Sequence, residues 1–348
     1  MATIRRLLSV WALLLAISFS ATTVAKAEEK ILSTTVNELP FITTRNLTGD
    51  SDPINTYGER RGTFSAGWCS VRSTEIAVLS PLAEAAPFRV PDELLRVTAI
   101  READRQAVYN SIGLSDSGRS PVLYTHGFNI DFEKGCRRAT VLQKNANLMD
   151  GFLWFSWPSD GVPINYTQDE ADLYWSAPDL ADLIADMSAE FAPEPINIAG
   201  HSLGGRGVAL SLYVIANHYP DVRLDNVVLL APDIDFQTFG RILPTIKALA
   251  NRITIYTTDN DRALKLSERL HGLPRLGQSN NPVERLEGVE VIDLSGLPAD
   301  SASGHLYHIY GELVGHDLDQ LLNEGIDASK RQGLTQIGTN LWSLTQGQ

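Results

Sequence analysis

The chain has 348 residues, with 29 Lys and Arg against 42 Asp and Glu, for a formal net charge of −13. Such a surface repels nucleic acid and anionic lipid, so neither is an expected partner. The length suits one large α/β domain or two small ones, and no repeat or low-complexity linker divides the chain.

The first 27 residues read as a leader. Arg5 and Arg6 form a basic start, Leu7 to Ile17 an apolar stretch, and Ala25-Lys26-Ala27 a small-x-small cleavage signal. The apolar stretch is shorter than a spanning helix needs, with an uncleaved N-terminal anchor as the alternative, and no later stretch is long enough. The expected mature chain starts near Glu28, is periplasmic or secreted, and has no stable membrane span after leader removal. Losing Arg5, Arg6 and Lys26, and no acid, makes it more acidic still.

Residues 28–60 are rich in Thr, Asn, Asp and Pro and are expected to form an irregular N-terminal arm on the surface. From Thr63 strands and helices alternate. Thr63 to Val71 and Leu95 to Arg101 read as early strands. Pro121 to Thr125 is a short apolar strand that runs into His126-Gly127-Phe128-Asn129, and a helix follows from Phe132 to about Met149. Phe152 to Trp157 is the next strand, stopped by Pro158. A long amphipathic helix spans Asp169 to Phe191, and a strand from Ile196 leads into Gly200-His201-Ser202-Leu203-Gly204. Then come the strand Asn226 to Ala231, a helix from Phe236 to Ala250, the strands Arg252 to Thr257 and Val289 to Leu294, and a last helix from Leu306 to Leu322. Apolar strands alternating with helices predict a doubly wound, mostly parallel α/β sheet covered on both faces. One domain over 61–325, followed by a tail over 326–348, is the simplest division.

The chain has two cysteines, Cys69 and Cys136. In an exported protein an even count suggests a disulfide; two unconnected thiols are the alternative. Neither has His or Cys at ligand spacing, so no metal and no cofactor is expected.

Gly-x-Ser-x-Gly between a strand and a helix has the pattern of a nucleophile elbow. The turn pushes the Ser202 hydroxyl out of the sheet, and the Leu203 amide points to where an oxyanion would form. A serine needs a base, and the base needs a carboxylate to hold its tautomer. Both follow in chain order, on Thr258-Asp259-Asn260-Asp261-Arg262 and on Ser303-Gly304-His305-Leu306-Tyr307-His308. His305, in a loop after glycine, is the expected base. His308 is expected within the helix, packed or half-exposed, and His316 on the surface. Asp261 and Asp259 compete for the acid, and Asp261 is also suited to cap the following helix. Asp233 and Asp235 rank second, with turn and cap work as the alternative. The second oxyanion donor is expected from Phe128 after His126-Gly127, while His126 itself reads as structural and Arg206 as a surface or network residue.

These stretches resemble α/β-hydrolases, and among them the bacterial family called domain of unknown function 900. The matching stretches are Val122 to Asn129, Phe155-Ser156-Trp157-Pro158-Ser159, Ala199 to Gly204, Ala231-Pro232-Asp233-Ile234-Asp235, Asn260-Asp261-Arg262-Ala263-Leu264 and Gly304-His305. They cover roughly Tyr57 to Leu318. The resemblance implies the α/β-hydrolase fold and assigns Ser202, Asp261 and His305 to the triad. Relatives often carry Met-Gly-Asn after the serine, where this chain has Leu203-Gly204-Gly205. Lids of the superfamily usually enter between the strands at 226–231 and 252–257. That gap holds one helix here, so no large cap domain is expected. The expected function is an exported carboxylesterase acting on a small-molecule ester. Alternatives are a thioesterase or peptidase, and a non-catalytic envelope or binding protein on the same scaffold.

Overall fold

The computed structural model describes residues 32–76, 95–113, 118–299, 301 and 303–345. The expected leader and the expected mature start near Glu28 lie outside the described residues. Eleven strands form one sheet, in the order β10-β11-β9-β8-β7-β6-β4-β5-β1-β2-β3. They are β1 (Leu32–Leu47), β2 (Tyr57–Ile76), β3 (Leu95–Ala103), β4 (Val122–Thr125), β5 (Phe152–Ser156), β6 (Ile196–His201), β7 (Leu224–Leu230), β8 (Ala250–Thr257), β9 (Glu290–Asp293), β10 (Leu334–Gln336) and β11 (Leu341–Leu344). From β11 through β9, β8, β7, β6, β4 and β5 to β1, every neighbouring pair is parallel. Antiparallel partners close both ends.

The helices are α1 (Arg105–Gly113), α2 (Phe132–Asn145), α3 (Tyr166–Glu190), α4 (Leu203–His218), α5 (Phe236–Ile246), α6 (Arg262–His271), α7 (Tyr307–Tyr310) and α8 (Glu312–Leu322). One face of the sheet buries Val108, Leu180, Ile184, Leu212 and Phe239, from α1, α3, α4 and α5. The other buries Phe132, Leu142, Leu318 and Leu321, from α2 and α8. With both faces covered, the central strands are apolar runs, and β4 and β5 are buried at every position. Between β7 and β8 stands α5 alone among α-helices, so no cap domain enters there. No helix among the described residues is long and apolar enough to cross a membrane.

Three expectations are corrected. The described part of the arm, 32–60, is not irregular: β1 crosses it, pairs with β5 and β2, and buries Leu39, Phe41 and Ile42 completely. Its β-branched Thr, Val and Ile residues favour a pleated strand despite the polar residues around them. Nor does the described part of the expected tail, 326–345, lie apart from the domain, because β10 and β11 extend the sheet and bury Trp342 and Leu344. The helix expected over 306–322 breaks at Gly311 into α7 and α8, where Asn145 Nδ2 donates to the carbonyls of His308 and Gly311.

Cys69 on β2 and Cys136 on α2 are bonded to each other, with Cα atoms 6.3 Å apart and both side chains fully buried. The bridge closes a separation of 67 residues, which by loop entropy contributes about 4 kcal/mol. It fastens the N-terminal hairpin to the helix behind β4.

Candidate active site

Ser202 stands between β6 and α4 with φ 55° and ψ −120°. A non-glycine residue there is strained by about 1–3 kcal/mol, and the surroundings must hold it. Its amide donates to Leu230 O at 2.9 Å, and its carbonyl accepts from Asp233 N at 3.0 Å. Close packing selects glycine on either side. A Cβ on Gly204 would fall 2.3 Å from His126 O, and one on Gly127 would fall 2.8 Å from Ser202 Cβ. The loop after β4 therefore lies directly against the serine. The Leu203 amide opens the 16-residue α4, where helix N–H groups and dipole favour negative charge. Phe128 follows Gly127 in that loop and packs its ring on Tyr166 at 5.1 Å.

Asp261 and His305 meet. His305 Nδ1 donates to Asp261 Oδ2 at 2.5 Å, while Asp261 Oδ1 accepts from Leu264 N at 2.9 Å as the cap of α6. One carboxylate thus caps α6 with one oxygen and meets His305 with the other. A carboxylate only accepts, so the proton sits on Nδ1 and Nε2 keeps its lone pair. Burial works against a charge on His305, but the attraction and hydrogen bond of Asp261 outweigh it and its pKa is raised. Asp259 is exposed, and its backbone, not its carboxylate, meets Ser295 and Lys265.

His201 links the serine to this pair. Its Nε2 donates to His305 O at 3.0 Å, and its ring lies 4.5 Å from that of His305 and 4.1 Å from that of His308. Burial, then the neighbouring imidazoles, push the pKa of His201 and His308 well below the ordinary value. His308 is fully buried and His316 exposed, as expected. His126 is structural: stacked on Trp157 at 4.9 Å, it donates from Nδ1 to Gly127 O, and burial drives its pKa to about 3.

The second-rank acids have other work. Asp235 caps α5 through Thr238 N. Asp233 accepts from Tyr166 and Ser267 at 2.6 Å each and pairs with Arg206 and Arg275. Arg206 is a buried network residue, joined also to Glu170. Sequence reasoning missed Arg45, Ser159 and Asp169, all buried behind the Gly127–Asp131 loop. Only Trp157-Pro158-Ser159 had stood out as a motif.

Residues 101–322, more than half of the chain, match the family described as alpha/beta hydrolase of unknown function (DUF900). An uncharacterized protein of Nostoc sp. is 25% identical over an alignment of 144 residues, which covers 34% of this chain and 37% of that one. The chain therefore spans just over a third of that relative's length. Among solved structures, a predicted CIB-like hydrolase from Thermoplasma acidophilum shares 14% identity over 83% of this chain and 99% of its own, with a TM-score of 0.39. Est1E from Butyrivibrio proteoclasticus shares 14% over 58% and 87%, with a TM-score of 0.37. Aspergillus fumigatus lipase B shares 15% over 68% and 60%, with a TM-score of 0.39. The family match agrees with the mostly parallel sheet and the strained serine elbow, and the chain belongs to the DUF900 family of alpha/beta hydrolases.

Proposed function

We propose that the protein is an exported serine hydrolase, and specifically a carboxylesterase. The observation that carries this reading is the hydrogen bond from His305 Nδ1 to Asp261 Oδ2, which leaves Nε2 with a free lone pair, in a chain that also holds Ser202 at positive φ. Ser202 Oγ attacks the ester carbon and His305 Nε2 takes the hydroxyl proton. The oxyanion is stabilised by the Leu203 and Phe128 amides. The C–O bond to the alcohol breaks, and His305 returns the proton to the leaving oxygen. Water then attacks the acyl-serine by the same route, releasing the acid and restoring Ser202.

Export is supported by the leader pattern of residues 1–27 and by the Cys69–Cys136 bridge, which persists in oxidising compartments. The test is turnover of p-nitrophenyl acetate together with labelling by a fluorophosphonate. Wild type should do both, and Ser202→Ala neither, with its circular dichroism unchanged. A folded wild type inert to both probes would refute the reading in favour of a binding protein. Turnover by Ser202→Ala equal to wild type would refute the nucleophile.

A further inference from the structure

We infer that Arg45 is a positioning residue for the oxyanion loop, delivered from the N-terminal hairpin to the back of the Gly127–Asp131 segment. The inference rests on the reading of Ser202 as a nucleophile whose oxyanion is met by the Phe128 amide.

Arg45 stands on β1, where the pairing with β2 shifts register on both sides of it, a device that re-aims a side chain. It is 1% exposed. Nε donates to Ser156 Oγ at 2.8 Å, Nη1 to Ser159 O at 2.7 Å and Gly58 O at 3.3 Å, and Nη2 to Ile130 O at 2.7 Å. Every one of these acceptors is neutral, and among the described residues no carboxylate pairs with Arg45. Burial lowers its pKa to about 10, against the raising fields of Asp131 and Asp169, so the group stays cationic at neutral pH. A buried cation satisfied by three carbonyls and a hydroxyl is a costly way to fill space, and an apolar side chain would fill it more cheaply. What it provides is a rigid fork spanning three chain segments.

One of those segments is the loop against the serine. Its amides are already held: Asn129 N donates to Asp169 Oδ2 at 3.1 Å and Ile130 N to Ser159 Oγ at 2.9 Å. Ser159 Oγ in turn donates to Asp169 Oδ2 at 2.5 Å. Asn129 has φ +61°, a conformation that needs such support. Arg45 holds the complementary side, the Ile130 carbonyl, and holds Ser159 through its carbonyl. With both sides pinned, the peptide planes from Phe128 to Asp131 are held next to the plane of the Phe128 amide, whose Gly127 carbonyl accepts from His126 Nδ1 at 2.8 Å, so the loop is set before substrate arrives. Oxyanion stabilisation depends on donors that need no reorganisation during reaction. Arg45 also lies outside residues 101–322, the stretch that matches the family.

The test compares Arg45→Met, Arg45→Lys and Ser159→Ala with wild type. Active sites are counted by fluorophosphonate titration, so that any unfolded fraction drops out. For Arg45→Met, kcat per titrated site on p-nitrophenyl acetate should fall about 100-fold with KM within about twofold. Affinity for a trifluoromethyl ketone, which forms the oxyanion, should fall in parallel. Arg45→Lys should recover part of the loss. A merely structural role would lower the number of titrated sites and leave both per-site values at wild type, which overturns the inference. If Arg45→Met does not fold, Arg45→Lys and Ser159→Ala decide: wild-type kcat and ketone affinity per site in both overturns it. An active wild type with unaffected variants refutes this inference alone, whereas an inert wild type refutes the proposed function and this inference with it.

Discussion

His201 donates its Nε2 proton to the backbone carbonyl of His305 at 3.0 Å, so the residue before the serine holds the loop of the base. A carbonyl only accepts, which fixes the His201 tautomer, and burial keeps that ring neutral. The elbow and the base are thereby tied without passing through the reacting groups. In His201→Phe the carbonyl loses its donor inside a buried site. The kcat on p-nitrophenyl acetate should drop about tenfold, the worth of one such hydrogen bond. His201→Gln, which keeps an N–H donor, should recover most of it. Equal losses in the two variants would show that the ring stack, not the hydrogen bond, matters.

Asp261 predicts an unusual separation of stability from activity. Asn also caps helices well, so Asp261→Asn keeps the bond from Leu264 N and should change the melting temperature little. The same change offers His305 Nδ1 a neutral amide and no longer enforces the tautomer. Activity should fall by about 10⁴, the size of the loss recorded for the corresponding change in the serine-protease triad. Asp259→Asn should be silent in both assays, since that side chain is exposed. A greater loss of activity in Asp259→Asn than in Asp261→Asn would reverse the assignment.

The parallel core was legible because its strands are buried on both faces and read as apolar runs, such as Phe152 to Phe155. β1 was not, because Thr43, Thr44 and Arg45 are buried polar residues within a strand. Their burial is made tolerable by partners such as Ser156, over a hundred residues away, which no local pattern reveals. The order Ser202, Asp261, His305 was legible as a sequence of types on the loops after β6, β8 and β9. The double use of Asp261 was not, since cap and acid looked like alternatives. Nor was Asp169, which reads as one more acid on a long helix until the Asn129 and Asp160 amides are seen to converge on it.

The histidines give opposite pH signatures. His305 must be neutral to act as a base, and Asp261 raises its pKa despite burial. The kcat/KM should therefore rise with pH through a single ionisation lying above about 6.5, the ordinary histidine value. For stability, a raised folded pKa contributes fully below that ordinary value and is lost as pH rises through the folded one. His126, His201 and His308 have lowered folded pKa values, His126 to about 3. Their contribution is present above about 6.5 and is lost as pH falls below it, because the unfolded chain takes up protons that the folded one refuses. Urea unfolding across this range should show stability declining on acidification even while His305 is protonated. A stability that increases steadily from neutral to acidic pH would contradict the assignment.

Asp233 is the residue whose loss should damage the fold more than the chemistry. Its carboxylate accepts from Tyr166 and Ser267 and faces both Arg206 and Arg275, at 3.4 and 3.1 Å. These four partners come from α3, α4, α6 and the segment after α6, so one buried anion joins the helices around the site. Asp233→Asn keeps the size but leaves two buried guanidinium groups short of a counter-charge. Removing one partner of a buried pair costs about 3–5 kcal/mol, far more than such a pair contributes relative to apolar packing. Guanidinium unfolding should record a loss of that order. The Asp233 field also helps raise the pKa of His305, so the midpoint of the activity profile should move to lower pH. The per-site kcat above that midpoint should stay within about threefold of wild type, because orienting the base belongs to Asp261. A loss of kcat as large as that of Asp261→Asn, in folded protein with an unshifted profile, would instead make Asp233 the acid of the site.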